Sequence, residues 1–212
     1  MKKTPLIAAA VLSLIAGAAA AQQAGDIVVR ARAVHLDSAN GNNAQLTNTL
    51  ASLKAGKASI NDKWLPEVDI SYFFSPNLAA ELILTYPQKQ TLSIDGLGKV
   101  GSFKHLPPTL TLQYHFLPNQ TFRPYVGAGL NFTHISSVKF DANVSALNLN
   151  LKRQSYGLAF QVGFDVALDK NWLLNVDLKK VQIGTTVSAG GTDVGKFKVD
   201  PLLLGVGVGY RF

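Results

Sequence analysis

No cysteine occurs in the chain, so no disulfide staple holds this fold together. Beyond the N-terminal segment there is no run of about 18 continuous apolar residues, which excludes a transmembrane helix. The four histidines, His35, His105, His115 and His134, show no metal-type spacing, and neither a metal nor a cofactor is expected. Strand parity places no Ser–His–Asp grouping at one level of one face, so catalysis is the minor reading. The glycines of "YVGAGLNFT" and "LLLGVGVGYRF" alternate within strands instead of opening a helix, which removes a phosphate-cradling loop. They leave room inside a narrow lumen or allow sharp curvature. No recognition helix is evident, and nucleic acid is not an expected partner.

What is present begins with an export signal. Met1, Lys2 and Lys3 precede an apolar run, Leu6 to Ala16, and the small residues Ala18 to Ala21. A charged start, a short apolar middle and an Ala-x-Ala site read as a secretory signal, 1–21, cleaved after Ala21. The remaining chain, 22–212, is long enough for one domain with its own core.

Period-two alternation then dominates. In the segment Tyr156 to Leu168 one face reads Tyr, Leu, Phe, Val, Phe, Val, Leu, and the other reads Gly, Ala, Gln, Gly, Asp, Ala. Eight such segments are expected, at 25–36, 64–74, 78–87, 108–117, 124–135, 154–168, 172–187 and 199–212. The connections after the second, fourth and sixth are short and rich in turn formers, such as Ser75-Pro76-Asn77. The other four are long. An all-β, eight-stranded, antiparallel up-and-down barrel follows, with both termini on the short-turn side.

A soluble barrel needs a charged exterior. Here the non-apolar face is mostly Gly, Ala, Ser and Thr, a poor solvent coat but a good lumen filling. The opposite face is bulky and aliphatic, with Tyr72, Phe74, Tyr86, Phe116, Tyr125, Trp172, Tyr210 and Phe212 near strand ends. That is an outward apolar band with aromatic girdles, and the expected location is the outer membrane. In lipid every backbone polar group must be paired. The terminal segment "VDPLLLGVGVGYRF" is therefore expected to close onto Gly25 to Leu36, leaving Phe212 at the periplasmic rim.

The inward charges are Arg30, Arg32, Glu67, Asp69, Glu81, Asp165, Asp177, Lys179 and Arg211. They form either an ion path or a structural plug, and the narrow lumen of an eight-stranded barrel favours pairing. The long loops carry eleven basic residues, Lys152, Arg153, Lys196 and Lys198 among them, against five acids. Their excess of positive charge suits either the phosphates of lipopolysaccharide or a plain solvated surface. "NVSALNLNL" interrupts the third long loop as a small helix or as a strand extension.

Particular strings add a family. "PPTLTLQYHF", "FRPYVGAGLNFT", "QVGFDVALDKNWLLNVDLKK" and the terminal "GYRF" resemble the outer membrane protein W family through nearly the whole exported chain. The resemblance implies an eight-stranded barrel whose narrow, largely apolar channel passes small hydrophobic molecules, with lateral escape into the bilayer. It implies a constriction at Leu65 and Tyr156, where the tyrosine departs from an expected tryptophan. It also implies that the terminal aromatics, Tyr210 and Phe212, are read by the barrel assembly machinery. The expected function is diffusion of small hydrophobic solutes across the outer membrane, with outer-membrane lipids and lipopolysaccharide as neighbours. The alternatives are a plugged structural or receptor-like barrel acting through its loops, or a lipid-modifying enzyme.

Overall fold

A strand that alternates apolar and small polar residues has one face for lipid and one for a lumen, and its ladder cannot end in hydrocarbon. A computed structural model describes residues 21–212 apart from residue 53. The signal expected at 1–21 lies outside the described residues but for Ala21.

In chain order the strands are β1 (Ile27–Asp37), β2 (Gly41–Asn42), β3 (Ala58–Ile60), β4 (Lys63–Phe73) and β5 (Leu78–Thr85). Then come β6 (Gln88–Ile94), β7 (Gly98–Leu106), β8 (Thr109–His115), β9 (Phe122–Phe140) and β10 (Leu149–Leu151). β11 (Gln154–Ala167), β12 (Trp172–Val181), β13 (Gly184–Ala189), β14 (Thr192–Lys198) and β15 (Leu202–Arg211) complete the set.

Eight of them form the wall, in the order β1, β4, β5, β8, β9, β11, β12, β15, every pair antiparallel. Closure is made by β15 on β1, in register from Val28 against Arg211 to Asp37 against Leu202. The Phe212 N–H adds one more bond to the Ile27 carbonyl, 2.9 Å away. The barrel is closed, and no wall strand is left with a free edge.

Alternation sorts the side chains as the pleat requires. Leu110, Leu112, Tyr114 and Phe116 are exposed on the outer face, as are Phe160, Val162, Val206 and Val208. A surface this apolar is at rest only in hydrocarbon. One aromatic corrects the expectation: Tyr125 does not belong to the girdle but is fully buried in the lumen. It precedes the outward Val126 on β9, so its parity is inward although it lies beside a turn.

Above the membrane band the expected long loops are structured. β3, β6 and β7 extend the wall sheet along the upper half of β9, while β10, β13, β14 and β2 form a second sheet. The fifth wall strand thus runs on to Phe140, and the seventh segment breaks between Val181 and Gly184 as its chain leaves the wall. The "NVSALNLNL" stretch is both things at once, a 3₁₀ turn (Ala142–Leu147) followed by β10.

One helix, α1 (Ala44–Ser52), seals the second sheet. Asn43 caps it, its Oδ1 accepting the Leu46 N–H at 2.9 Å and the Lys196 N–H at 2.9 Å. Leu46 and Leu50, one turn apart, face inward together. Gly195 on β14 lets the helix approach, because a Cβ there would lie 2.4 Å from the Leu46 nitrogen. Around this contact Ile94, Val100, Phe103, Ile135, Leu151 and Phe197 make an apolar core outside the membrane. The loops form a folded cap.

Candidate functional site

The lumen is filled in levels, and register explains which residue stands at which height. At the periplasmic end Val28, Phe73, Ala79 and Leu173 pack as a small apolar base. The next residues of the same parity are charged. Arg30 reaches Asp165 with two bonds, Nε to Oδ1 at 3.1 Å and Nη2 to Oδ2 at 2.6 Å, and donates to Ser71 Oγ at 2.6 Å. Arg32 lies within 3.1 Å of both Asp69 and Glu81, 3.3 Å of Glu67 and 3.6 Å of Asp177. Lys179 donates to Glu67 at 2.5 Å and pairs with Asp177 at 3.2 Å.

Neutral donors complete the network. Gln113 and Gln161 give their amide N–H groups to Glu81 Oε2 at 2.8 and 2.9 Å. The Tyr125 hydroxyl donates to Asp177 at 2.8 Å, and Asn175 donates to Asp165 at 2.8 Å. Buried charges cost several kcal/mol each when unpaired, so a connected network is the form in which they persist. Of the nine expected lumen charges, eight meet here and all eight are buried. Arg211 stands apart at the periplasmic rim, 3.5 Å from Asp26 and bonded to the Lys170 carbonyl. Parity sets Gln113 and Gln161 on the lumen face from the sequence alone, but they and Asn175 carry no charge and so stand outside the expected site, while Tyr125 is expected in the girdle.

The floor is closed by its own side chains. Directly above it the chemistry changes. Val34 stands opposite Leu65 in the β1–β4 register, two residues on from the Arg32–Glu67 pair. With Leu36 and Leu203 they form an apolar neck. A cavity of about 30 Å³ lies in this neck, bounded by Leu65, Ile83, Val181 and Pro107 and touched from below by Glu67 and Lys179. Higher still, the cap encloses a second cavity of about 70 Å³ among Leu46, Leu92, Ile94, Leu149 and Phe197.

The two residues expected to form a constriction are separated. Leu65 points into the neck and is buried. Tyr156 does not line it: its ring lies on the outer face, 75 % exposed and 5.1 Å from the ring of Phe132. It shares parity with Leu158 and Phe160, and that parity faces lipid. Tyr210 and Phe212 stack edge-on at 4.8 Å on the same outer face near the periplasmic rim, with Trp172 5.1 Å from Tyr210.

His105, on β7 above the membrane band, also borders the neck cavity. Burial pushes its imidazole down to about 4, and the nearby Lys63 charge acts in the same direction. Gln90 Nε2 lies 3.4 Å from its Nε2.

A closed antiparallel barrel with an aliphatic exterior and a buried ionic interior is an outer-membrane protein. More narrowly, the OmpW family profile matches residues 23–212, and the chain belongs to that family. It is 34 % identical over 229 residues to outer membrane protein W of Vibrio cholerae, covering 100 % of both chains. It is 43 % identical over 159 residues to an uncharacterized outer-membrane protein of Sinorhizobium fredii, across 73 % of this chain and 68 % of that one. Among solved structures, OprG from Pseudomonas aeruginosa superposes with a TM-score of 0.75 at 27 % identity, covering 91 % of this chain and 98 % of its own.

Proposed function

We propose that this barrel carries small hydrophobic molecules through the outer face of the outer membrane and releases them sideways into the bilayer. The observation that carries this reading is the apolar neck standing on a closed, charged floor. An apolar solute gains by entering the cap and neck, and gains nothing by displacing the ionic network below. The route therefore turns outward above the floor.

The wall offers a weak place at that height. The β5–β8 ladder ends at Ile83 against Thr109. The next residues along the chain are Pro107 and Pro108, which have no N–H to donate, and Pro107 borders the neck cavity. Parting two strands that share no further bonds costs least there. The solute class rests on the family resemblance and on the apolar lining together.

Uptake by liposomes holding the refolded barrel tests the reading. A small apolar ester should enter faster than in empty liposomes, and a sugar of similar size should not. Leu65→Trp, which overfills the neck, should slow ester uptake several-fold while leaving folding intact. Tyr156→Ala, on the lipid face, should leave the rate unchanged. Equal rates in wild type and Leu65→Trp would remove Leu65 from the path.

A second reading is a structural barrel that acts through its cap, and the ion-paired floor favours it. No acceleration of either solute would select it. For partners, the outward rings of Tyr210 and Phe212 suit recognition by the barrel assembly machinery, and the basic cap suits the phosphates of outer-leaflet lipopolysaccharide.

A further inference from the structure

The wall forks at one place. β11 pairs with β9 as far as Gln154 against His134, but its ladder with β12 ends at Ala159 against Val181. The Gln182 N–H bonds the Leu158 carbonyl at 2.9 Å, and above it the Gly184 N–H donates to Ser155 Oγ at 3.0 Å and the Lys152 N–H to the Thr186 carbonyl at 2.9 Å. Gly157 permits the Gln182 bond, since a Cβ there would lie 2.0 Å from the Gln182 oxygen. Beyond it β13 leaves with β14 for the second sheet, and β11 stays with β9.

The two arms enclose an open cleft of about 490 Å³, within the size range of ligand sites. Tyr156 lies at its lower edge, an outward aromatic that marks the lipid headgroup level. Three lysines line it: Lys152 from one arm, Lys196 and Lys198 from the other. Among the described residues none of the three is paired with a carboxylate. One acid, Asp200, also borders the cleft, and its Oδ1 is occupied by the Ile183 N–H at 2.9 Å. Lys180, outward on β12, donates to the Asp200 carbonyl at 2.5 Å and adds a fourth positive charge at the rim.

We propose that this fork is a binding site for a phosphate-bearing headgroup of an outer-leaflet glycolipid. Three lysines with no carboxylate partner line one cleft beside an outward aromatic, at the height where such phosphates stand. The cleft is wide enough for a sugar as well as its phosphate. The inference deepens the reading that the basic cap meets lipopolysaccharide, rests on that reading, and is independent of the conduit.

The test is a titration of the protein, purified from membranes in detergent, with diphosphorylated lipid A, followed by native mass spectrometry. Three proteins are compared: wild type, Lys152→Gln/Lys196→Gln/Lys198→Gln, and Lys89→Gln/Lys104→Gln/Lys139→Gln from elsewhere on the cap. Heat-dependent gel mobility verifies that each is folded. The fork variant should lose affinity by about tenfold or more, the factor three solvent-facing charge contacts carry together, while the other variant matches wild type.

Equal losses in both variants would overturn the site and leave a general attraction of the cap for lipopolysaccharide. No binding by wild type would overturn site and general reading together. Inorganic pyrophosphate competing as well as lipid A would overturn the glycolipid as the ligand.

Discussion

Arg32 is the residue on which most of the lumen converges. Four carboxylates from three strands lie within 3.6 Å of its guanidinium. Asp69 has no hydrogen bond among the described residues beyond this ion-pair contact. Replacing Arg32 by Met keeps much of the volume, takes from Asp69 its ion-pair partner and leaves Glu67, Glu81 and Asp177 to Lys179 and Arg30 alone, which costs about 3–5 kcal/mol. The expected result is a clear fall in the urea midpoint of unfolding, followed by gel mobility in lipid. An unchanged midpoint would show that the network does not hold β1 to its neighbours.

The charges were legible in the sequence because each stands at a fixed parity in a long alternating strand. Arg30 and Arg32 could not face lipid without dragging Val29 and Ala31 inward. Tyr125 was misplaced for the opposite reason: an aromatic near a turn fits a girdle, and only its register against Val126 sends it inside. Tyr156 followed the resemblance when its own parity pointed to lipid.

At the scale of elements, the cap is what the sequence concealed. Its core draws Leu46 from a helix, Ile94 from β6, Ile135 from β9 and Phe197 from β14. Apart from β9 these segments are short, and their common core exists only once the barrel has brought four loops together. The helix was hidden as well, since nine residues with two buried leucines make a weak pattern.

His105 gives this element a pH dependence. Above about pH 6.5 the imidazole is neutral folded or unfolded, and it contributes nothing to the slope. Below that value the unfolded strand takes up a proton that the buried ring refuses until about pH 4. Stability of the cap therefore falls as pH drops through this window, by up to about 1.4 kcal/mol per pH unit. Protection factors of β6 and β7 amides, corrected for the intrinsic slowing of exchange in acid, should fall between pH 7 and pH 5. His105→Gln should remove that fall, and protection factors in wild type that do not change with pH would refute the assignment.

For the whole molecule, everything depends on the seam between β1 and β15. Gly207 sits within it, and a Cβ at that position would lie 2.1 Å from the Ala31 carbonyl oxygen. Backbone cannot yield there without parting the seam. Gly207→Val should reduce the folded fraction to a small remainder in gel mobility assays. Gly205→Ala meets the Arg32 and Val34 side chains first, at 3.3 and 3.4 Å, with the nearest backbone atom at 3.8 Å, and should fold nearly as wild type. If both variants fold alike, closure does not rest on backbone contact at this seam. The eight-stranded architecture was readable from alternation and from short turns set against long loops. The fork was not, because it depends on which partner each strand keeps above the membrane.

The closed floor has a further consequence for the cell. A wide pore lets salts and sugars equilibrate, so every added copy makes the envelope leakier. A barrel whose bore is occupied by its own ion pairs is expected to add no such leak, and planar-bilayer recordings that show steady salt conductance would contradict this. On that expectation, many copies could be present while the osmotic tightness of the outer membrane stayed that of the surrounding lipid.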